Sequence, residues 1–208
     1  AAASASSVNR DMETSIARLS SGKRINSASD DAAGVAISSR LSAEIRGTDQ
    51  AIRNSLDGQA LIDTAEGAHK EIENILQRMR EVTIQAANDT NNDQDRANLQ
   101  AEIEAMTTEI DRIAGTTTWA GADLMEDATT TFSFQVGATT GAKNQISVSI
   151  LTMNATGLGV GDGTGSVIDV ETDAASANTG TGLIDVAIEK VNIQRSELGA
   201  VSNRLNHT

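Results

Sequence analysis

The sequence contains no cysteine, no proline and no tyrosine, and only three aromatic residues in 208. Without cysteine, the chain can form neither disulfides nor thiolate metal sites. Without proline, no position is excluded from a helix interior by a missing N–H group. The aromatic residues Trp119, Phe132 and Phe134 lie within one 16-residue window. Any core elsewhere is therefore built from Ala, Val, Ile, Leu and Met, which suits thin helix-on-helix seams better than a wide globular core.

The chain is also short of positive charge, with a net charge of −13. This sign disfavours binding to nucleic acid and to anionic membranes, so we expect neither partner. No apolar run approaches 18 residues, so we expect no membrane span. Residues 1–7 lack the basic and apolar regions of a signal peptide. We expect both ends to be truncated, because the chain starts without methionine and stops soon after a helical pattern.

The longest uninterrupted pattern predicts one helix over residues 30–88. Its large apolar side chains recur mostly four or seven positions apart, as one stripe along a helix does. The stripe consists of Ile37, Leu41, Ile45, Ile52, Leu56, Ile62, Ile72, Leu76 and Met79. At about 1.5 Å per residue this helix would be roughly 90 Å long, so the rest of the chain has to cover its stripe.

Four glycines lie inside this predicted helix, at positions 34, 47, 58 and 67. Each costs about 1 kcal/mol relative to alanine in an exposed helix interior. They are either tolerated weak points or places where a neighbouring helix approaches closely, and the sequence leaves both interpretations open.

Three further segments have helical periodicity. Residues 4–20 predict a first helix that ends at Ser20-Ser21-Gly22, where Gly22 can adopt the left-handed conformation. Turn-forming residues at 88–93 separate the long helix from a second helix at 93–114, and the short connection predicts antiparallel packing. A C-terminal helix is predicted over 183–206. The apolar seams of these last two helices are Leu99, Ile103, Met106, Ile110 and Ile113, and Ile184, Val191, Leu198 and Leu205.

The period changes to two in the remaining segment. Residues 131–136 and 145–150 alternate apolar and polar side chains, which predicts a β-hairpin over 131–150 above a small core of Trp119, Leu124, Phe132 and Phe134. Residues 152–182 are rich in Gly, Thr, Ala, Asp and Ser and predict a loop, or at most a weakly structured insertion. The predicted fold class is mainly α: an elongated antiparallel three-helix coiled-coil-like rod with a small β-hairpin region at one end. Both chain termini are expected at the other end.

No group of residues predicts catalysis, so we expect no enzyme, no cofactor and no metal. The acidic residues lack a neighbouring histidine or a Gly-rich pocket that would indicate acid–base chemistry. His69 and His207 are far apart and lack metal-ligand spacing. The GVGDGTG segment at 159–165 carries one acid and no Gly-Lys-Ser/Thr sequence, so it is interpreted as a flexible loop rather than a calcium or phosphate site.

Several motifs, in order along the chain, resemble those of one protein family. The motifs are RLSSGKRINSA (18–28), DDAAG (30–34), AIRNSLDG (51–58), TAEGA (64–68), LQRMREVTIQAAN (76–88), EIDRIAGTT (109–117), FQVGA (134–138) and SELGAVSNRL (196–205). On these motifs the chain is similar to bacterial flagellins over about residues 1–150 and 183–208.

The resemblance implies a structural subunit of the bacterial flagellar filament, secreted, extracellular and self-assembling through helix-bundle contacts for motility. It implies that residues 1–29 are the end of an N-terminal core helix and a connector. Residues 30–150 and 183–208 would form the rod-like filament-wall domain, and residues 151–182 a short variable insertion. Because most of both terminal core segments would be missing, we expect this chain to fold as the wall domain but to polymerise poorly.

The resemblance also implies a contact surface. On composition alone, residues 77–82 are a solvated helix face whose Arg–Glu neighbours contribute a few tenths of a kcal/mol. In flagellins this region contacts neighbouring subunits and an innate-immune Toll-like receptor, which carries over to Gln77, Arg78, Val82, Gln85 and Glu102. Valine at 82 is smaller than the leucine usual in the family. The implied partners are other flagellin subunits, the flagellar export apparatus with a chaperone for the full-length protein, and a Toll-like receptor.

Two alternative functions stay open at this point. A hook–filament junction protein would share the terminal signatures and would differ in abundance and position in the cell. A cell-surface binding or adhesive module on a flagellin scaffold, for glycans for example, would be revealed by a glycan-binding screen. The shortness of residues 151–182 counts against the second alternative.

Overall fold

A computed structural model describes residues 2–26, 31–126 and 128–208. The elements are α1 (Ala2–Ser21), α2 (Ala32–Ala86), α3 (Asp93–Thr116), β1 (Thr118–Trp119), β2 (Ala122–Asp123), β3 (Thr130–Gln135), β4 (Gln145–Ile150), α4 (Ala155–Leu158) and α5 (Ala174–Asn206), with a 3-10 turn at Ala142–Asn144. The chain divides into two compact units, Ala1–Gln50 and Ala51–Thr208. Helix α2 contributes residues to both.

The first unit contains α1, the following connector and the start of α2. Helix α1 ends at Ser21, and Gly22 has a φ of 66°, which confirms the predicted left-handed position. The side-chain amide of Asn26 donates to the carbonyl of Ala17 over 2.9 Å. A carboxylate oxygen of Asp31 accepts the N–H of Gly34 at 2.9 Å at the start of α2. The connector residues 27–29 and the predicted helix start at 30 lie outside the described residues.

The large apolar side chains of the first unit are exposed. On α1 they are 55–86% exposed, and on α2 they are 49–62% exposed. These residues are Val8, Met12, Ile16 and Leu19 on α1, and Ile37, Leu41 and Ile45 on α2. The first part of the long predicted stripe is therefore left largely exposed by the residues that the structure describes.

The second unit is built on three helices. Helix α3 runs antiparallel to α2, since Arg78 pairs with Glu102 and the Ala86 carbonyl accepts from Arg96. Helix α5 is also antiparallel to α2. Their contacts run from Thr83–Thr181 at one end to Gln59–Asn206 at the other. The predicted seams are confirmed: Leu99, Ile103, Ile110, Ile184, Val191, Leu198 and Leu205 are buried, and Met106 and Ile113 pack against them half-buried.

Helix α2 changes its inward positions near residue 60. Ile62, Ile72, Leu76 and Met79 are fully buried as predicted, but Ile52 and Leu56 are 52% and 58% exposed. Small residues, Ala51, Ser55 and Gly58, are buried in their place. At Gly58, a Cβ atom would lie 3.1 Å from Leu205 Cδ1 and 3.2 Å from Phe134 Cδ2. Close approach therefore explains Gly58, whereas a Cβ at Gly67 would meet nothing within 4 Å.

Two antiparallel β-pairs follow α3. Strands β3 and β4 pair Phe132 with Val148 and Phe134 with Ile146. Ile146, Val148 and Ile150 are buried, as is Leu124, while the three aromatic residues are half-buried against them. The small core predicted under the hairpin is thus confirmed. Strands β1 and β2 are joined by Ala120 and Gly121, whose φ angles of 51° and 82° are those of a type I′ turn.

The expected position of the C-terminus is wrong. The hairpin lies beside the end of α5, because Phe134 and Leu205 both contact Gly58. The Asn54 amide donates to the Gln135 carbonyl over 2.9 Å, and Ser55 Oγ lies 3.4 Å from Thr208 Oγ1. The reason is that the chain leaves the hairpin through residues 151–173 and crosses the length of the unit before α5 begins. The sequence predicted a loop or a weakly structured insertion over residues 152–182, and a crossover was not expected.

This crossover segment is packed, not loose. Met153, Ala155, Leu158, Val160, Ile168 and Val170 are buried. The Gln194 amide bonds Ser149 O and Leu151 N at 3.0 and 3.2 Å. The Gln100 amide bonds Ile168 O and Val170 N at 3.1 and 2.9 Å. Helix α5 then begins at Ala174, nine residues before the predicted start, with Asp173 accepting the N–H of Ser176 at 2.6 Å. The division into wall domain and variable insertion stays a prediction.

Candidate functional site

The predicted contact residues lie near the end of α2 and on α3. The buried residues near the end of α2 show which side of this helix faces the core. They are Leu76, Met79, Val82, Thr83 and Ala86. At 100° per residue, the positions between them point outward. We call the outward surface made by Gln77, Arg78, Arg80, Glu81, Ile84, Gln85 and Glu102 the charged face.

Arg78 is the centre of an ion-pair network that bridges α2 and α3. Its Nε and Nη2 atoms lie 3.0 and 2.9 Å from Glu102 Oε1, and its Nη1 lies 2.9 Å from Glu81 Oε2. Hydrogen bonds to Glu81 and Glu102 raise the pKa of Arg78 above its ordinary value. The Arg78 side chain remains 54% exposed. The guanidinium is thus oriented by two carboxylates while part of it stays accessible to a partner.

Arg80 makes the matching bridge to α5 on the other edge. Its Nε donates to Asp185 Oδ1 over 2.6 Å. This hydrogen bond and the charge of Asp185 raise the pKa of Arg80. With Gln77, Glu81 and Ile188, this pair lines a groove of about 410 Å³. The charged face is therefore fixed to both neighbouring helices of the unit.

The predicted contact residues differ in their exposure to solvent. Gln77 and Gln85 are exposed, and Gln77 donates weakly to Glu73 at 3.4 Å. Val82 is fully buried in the core, so the expectation that its side chain forms part of the contact surface is wrong. Position 82 lies 40° beyond Arg78 on the helix, which carries it from the rim onto the buried side.

Sequence reasoning missed three members of the charged face, Arg80, Glu81 and Ile84, and also missed Asp185, the partner of Arg80 on α5. Arg80 and Glu81 were noted only as charges, and Asp185 is more than 100 residues away along the chain. Ile84, 51% exposed, lies outward between Arg80 and Gln77. The signal was available for Ile84, because it lies seven positions after Gln77, two helical turns along the same face. An arginine with an exposed apolar neighbour is the composition typical of protein-interface anchors.

A second polar cluster lies inside the α2–α5 seam. Arg195 forms salt bridges with Glu73 and, over 3.6 Å, with Glu66. His69 beside it is fully buried, and neither ring nitrogen has a hydrogen-bond partner. Burial, and then the charge of Arg195, lowers the pKa of His69 to about 4. Within residues 2–26, 31–126 and 128–208, no three His, Asp or Glu side chains are grouped as metal ligands. No helix in these ranges has the length and hydropathy of a membrane span.

Comparisons with known proteins agree on one family. The profile of the family described as bacterial flagellin N-terminal helical region matches residues 1–130. The chain is 43% identical over 191 residues to a flagellin of Halalkalibacterium halodurans, covering 92% of this chain and 68% of that protein. It is 48% identical over 146 residues to the B-type flagellin of Pseudomonas aeruginosa, covering 70% of this chain and 30% of that protein.

Solved structures give the same result for the fold. The crystal structure of Bacillus cereus flagellin superposes with a TM-score of 0.60 at 30% identity, covering 75% of this chain and 86% of that one. A putative flagellar hook-associated protein from Vibrio parahaemolyticus superposes with a TM-score of 0.68, covering 86% of this chain and 91% of that one. Its 18% identity shows the shared fold alone. The chain belongs to the bacterial flagellin family, the structural proteins of the flagellar filament.

Proposed function

We propose that this chain, a structural subunit of the flagellar filament, binds neighbouring subunits through the apolar stripe of α1 and through the charged face. The observation that carries the proposal is the stripe. Val8, Met12, Ile16 and Leu19 recur at helical spacing, and each is more than half exposed. A row of large apolar side chains on one helix face is typical of a surface that another chain covers.

The distribution of charge supports association through the first unit. Residues 1–50 contain six basic and six acidic side chains, so the whole net charge of −13 resides in residues 51–208. Copies can therefore bring their first units together without net repulsion, while their second units repel one another. Screening by salt weakens that repulsion, so we expect added salt to favour assembly.

Expression of the encoding gene in a flagellin-deficient bacterium tests the stripe. Replacing Met12 and Ile16 together by glutamine should abolish filaments seen by electron microscopy and should abolish swimming. Glu13→Gln with Ala17→Gln is the matched control, since it places two glutamines about 100° away on the same helix. Normal filaments from the Met12/Ile16 variant would contradict the proposal, as would equal loss in both variants.

The charged face is proposed as a second subunit contact and as the surface bound by an innate-immune Toll-like receptor. Gln77, Arg78, Gln85 and Glu102 are the residues assigned to it, and Val82 is left out because it is buried. Support comes from the half-exposed guanidinium of Arg78, which two carboxylates hold in place. A guanidinium oriented in this way loses less side-chain entropy on binding than a free one does.

Arg78→Ala tests this assignment, and Arg112→Ala is a closely matched control. Arg112 is also an exposed arginine on a helix, paired over 2.6 Å with a glutamate three residues before it. Arg78→Ala should lower receptor signalling by purified protein at least about tenfold, as loss of an interface anchor does, while Arg112→Ala should not. Equal signalling by both variants, with unchanged circular dichroism, would remove Arg78 from the surface.

The remaining parts of the proposal concern export and location. We propose that the protein leaves the cell through the flagellar export apparatus, with a chaperone, and functions outside the cell in the flagellum. The support is membership of the flagellin family, whose filament is extracellular. Detection of the protein in medium from cells with an intact export apparatus, and its absence when the apparatus is deleted, tests this route. The hook-associated likeness concerns fold alone and does not favour a junction role.

A further inference from the structure

An open cavity of about 590 Å³ lies between α2, the β1–β2 turn and strand β3. Its lining includes the aromatic side chains of Trp119 and Phe134, and its polar lining groups are Asn54, Asp57, Ser133 and Gln135. We propose that this cavity is a binding site for a small organic cation of the quaternary ammonium class. The proposal is independent of the subunit contacts proposed above, because the cavity shares no residue with the α1 stripe or with the charged face.

The aromatic lining is the first argument. The chain has three aromatic residues, and two of them line this one cavity. Both are half-buried, so each is supported by the core while part of it faces solvent. Aromatic ring faces attract cations through their quadrupole, with tryptophan the strongest of the three rings. Aromatic pockets are the usual means by which proteins recognise quaternary ammonium groups.

The charge of the lining is the second argument. Asp57 is the one ionisable residue that lines the cavity within the described residues. It is exposed and forms no salt bridge or hydrogen bond with another described residue. Its carboxylate is therefore available to a ligand, and the surrounding unit carries the whole net negative charge of the chain. An anion would be repelled here, whereas a cation would gain a favourable charge interaction with this carboxylate.

Contacts with neighbouring elements hold several lining residues of the cavity in place. The Phe134 ring packs against Gly58, where a Cβ atom would lie 3.2 Å from the ring. The Asn54 amide binds the Gln135 carbonyl and joins β3 to α2. The turn at Ala120 and Gly121 follows Trp119 directly and pairs it with Ala122. A site whose walls are already fixed loses little conformational entropy when a ligand binds.

Trp119 is the only tryptophan in the chain, so its fluorescence reports on this cavity alone. Choline chloride should produce a saturable change in the purified full chain at constant ionic strength, with a Kd in the millimolar range. Its neutral carbon isostere, 3,3-dimethylbutan-1-ol, should bind at least about fivefold more weakly because it lacks the charge. Cosedimentation with phosphatidylcholine vesicles distinguishes a lipid headgroup from the free cation as the source of the group.

Two variants separate a binding role from a structural one. Asp57→Asn should weaken choline binding at least about fivefold and leave the circular dichroism unchanged, since Asp57 is exposed. Asp63→Asn, which removes an exposed acid two turns along the same helix, should leave binding unchanged. Trp119→Leu should abolish binding measured by calorimetry, while the hairpin fold is followed by circular dichroism.

Three results would overturn the proposal. The first is the absence of a saturable response to choline at concentrations up to roughly 0.1 M, which is far above the Kd expected of a specific site. The second is equal binding of the neutral isostere, or equal weakening by Asp57→Asn and Asp63→Asn, because either would exclude a charge-specific site. The third is saturable binding of glucose without binding of choline, which would make the cavity a sugar site.

Discussion

Acidification from pH 7 to pH 5 should destabilise the second unit through His69. This histidine is 0% exposed between α2 and α5, and its ring nitrogens have no hydrogen-bond partners. The charge of Arg195 on α5 acts on this ring, and Arg195 is itself paired with Glu66 and Glu73 on α2. Burial and the charge of Arg195 lower its pKa from 6.5 to about 4. The neutral ring is therefore the form compatible with the folded seam.

The sign and size of the effect follow from proton linkage. Below pH 6.5 the unfolded chain binds a proton at this position that the folded chain does not, so the free energy of unfolding falls with pH. The loss is complete below the folded pKa of about 4. One pKa unit corresponds to about 1.4 kcal/mol, so the full loss is about 3 kcal/mol, of which about 2 kcal/mol occurs by pH 5. Carboxylates with lowered pKa values, such as Asp169 and Asp173, lose their contribution only below 3.8 and do not act in this window.

Urea unfolding, followed by circular dichroism at pH values from 7 to 5, measures this loss of stability. The variant His69→Leu should have a free energy of unfolding that is nearly independent of pH in this range. The Cε1 proton of His69 gives the pKa directly by NMR, with His207→Gln used to assign the two histidine signals. A wild-type stability that is constant from pH 7 to pH 5 would refute the reasoning, as would a His69 signal that titrates above pH 6.

Three further substitutions test the packing by urea unfolding. Gly58→Ala should lower the free energy of unfolding by about 1–3 kcal/mol, because the added Cβ would crowd Leu205 and Phe134. The control Gly67→Ala should raise it by up to about 1 kcal/mol, because its Cβ meets open space. A gain in stability at both positions would exclude close packing at Gly58. Ala120→Asn should stabilise by about 0.5–1 kcal/mol, because asparagine tolerates the positive φ of this turn position better than alanine does; a destabilised variant would contradict the turn assignment. Gln194→Ala should cost about 1–3 kcal/mol, because it removes a buried side-chain amide that bonds Ser149 O and Leu151 N where β4 meets the crossover. A cost below about 0.5 kcal/mol would show that the amide is not needed.

The helices could be predicted because each carries its own periodic signal. The seven-residue spacing of Ile184, Val191, Leu198 and Leu205 predicted their burial, and the three- and four-residue steps from Leu99 to Ile113 did the same for α3. The stripe on α2 was predicted only in part. Its period continues from Ile37 to Leu56, but the core contacts fall on the small residues next to it, and residue size gives no periodic hydrophobic signal.

The crossover could not be predicted because its structure depends on partners far away in the sequence. Two glutamine amides, Gln100 and Gln194, bind its backbone from α3 and α5 across 43 to 70 positions. Asp111 accepts the N–H of Ala155 at 2.7 Å, and Lys190 donates to the carbonyl of Gly157 at 3.2 Å. None of these side chains differs in type from an ordinary surface residue, so composition alone predicted a loop.

The candidate site was predicted from family motifs rather than from physical pattern. Arg78 and Glu102 were assigned together, and the structure pairs them over 2.9 Å. Val82 was assigned on the same family resemblance, but the structure buries its side chain. The edge of the core lies between Arg78 and Val82 on α2. Its position depends on how α3 packs against α2, and the spacing of residues along the sequence does not determine that packing.

The crossover also defines where the protein can accept foreign sequence. The turn at residues 162–165 is exposed, and its backbone is held by Asp162, which accepts from Thr164 and Gly165 at 2.9 and 3.1 Å. A β-bridge between Gly161 and Ser166 keeps the two ends of the turn adjacent, and Val160 and Ile168 anchor both sides in the core. A peptide epitope or a small folded domain with adjacent termini could thus be inserted at this turn without disturbing the packing of the helices. In an assembled filament, such a graft would be displayed once per subunit.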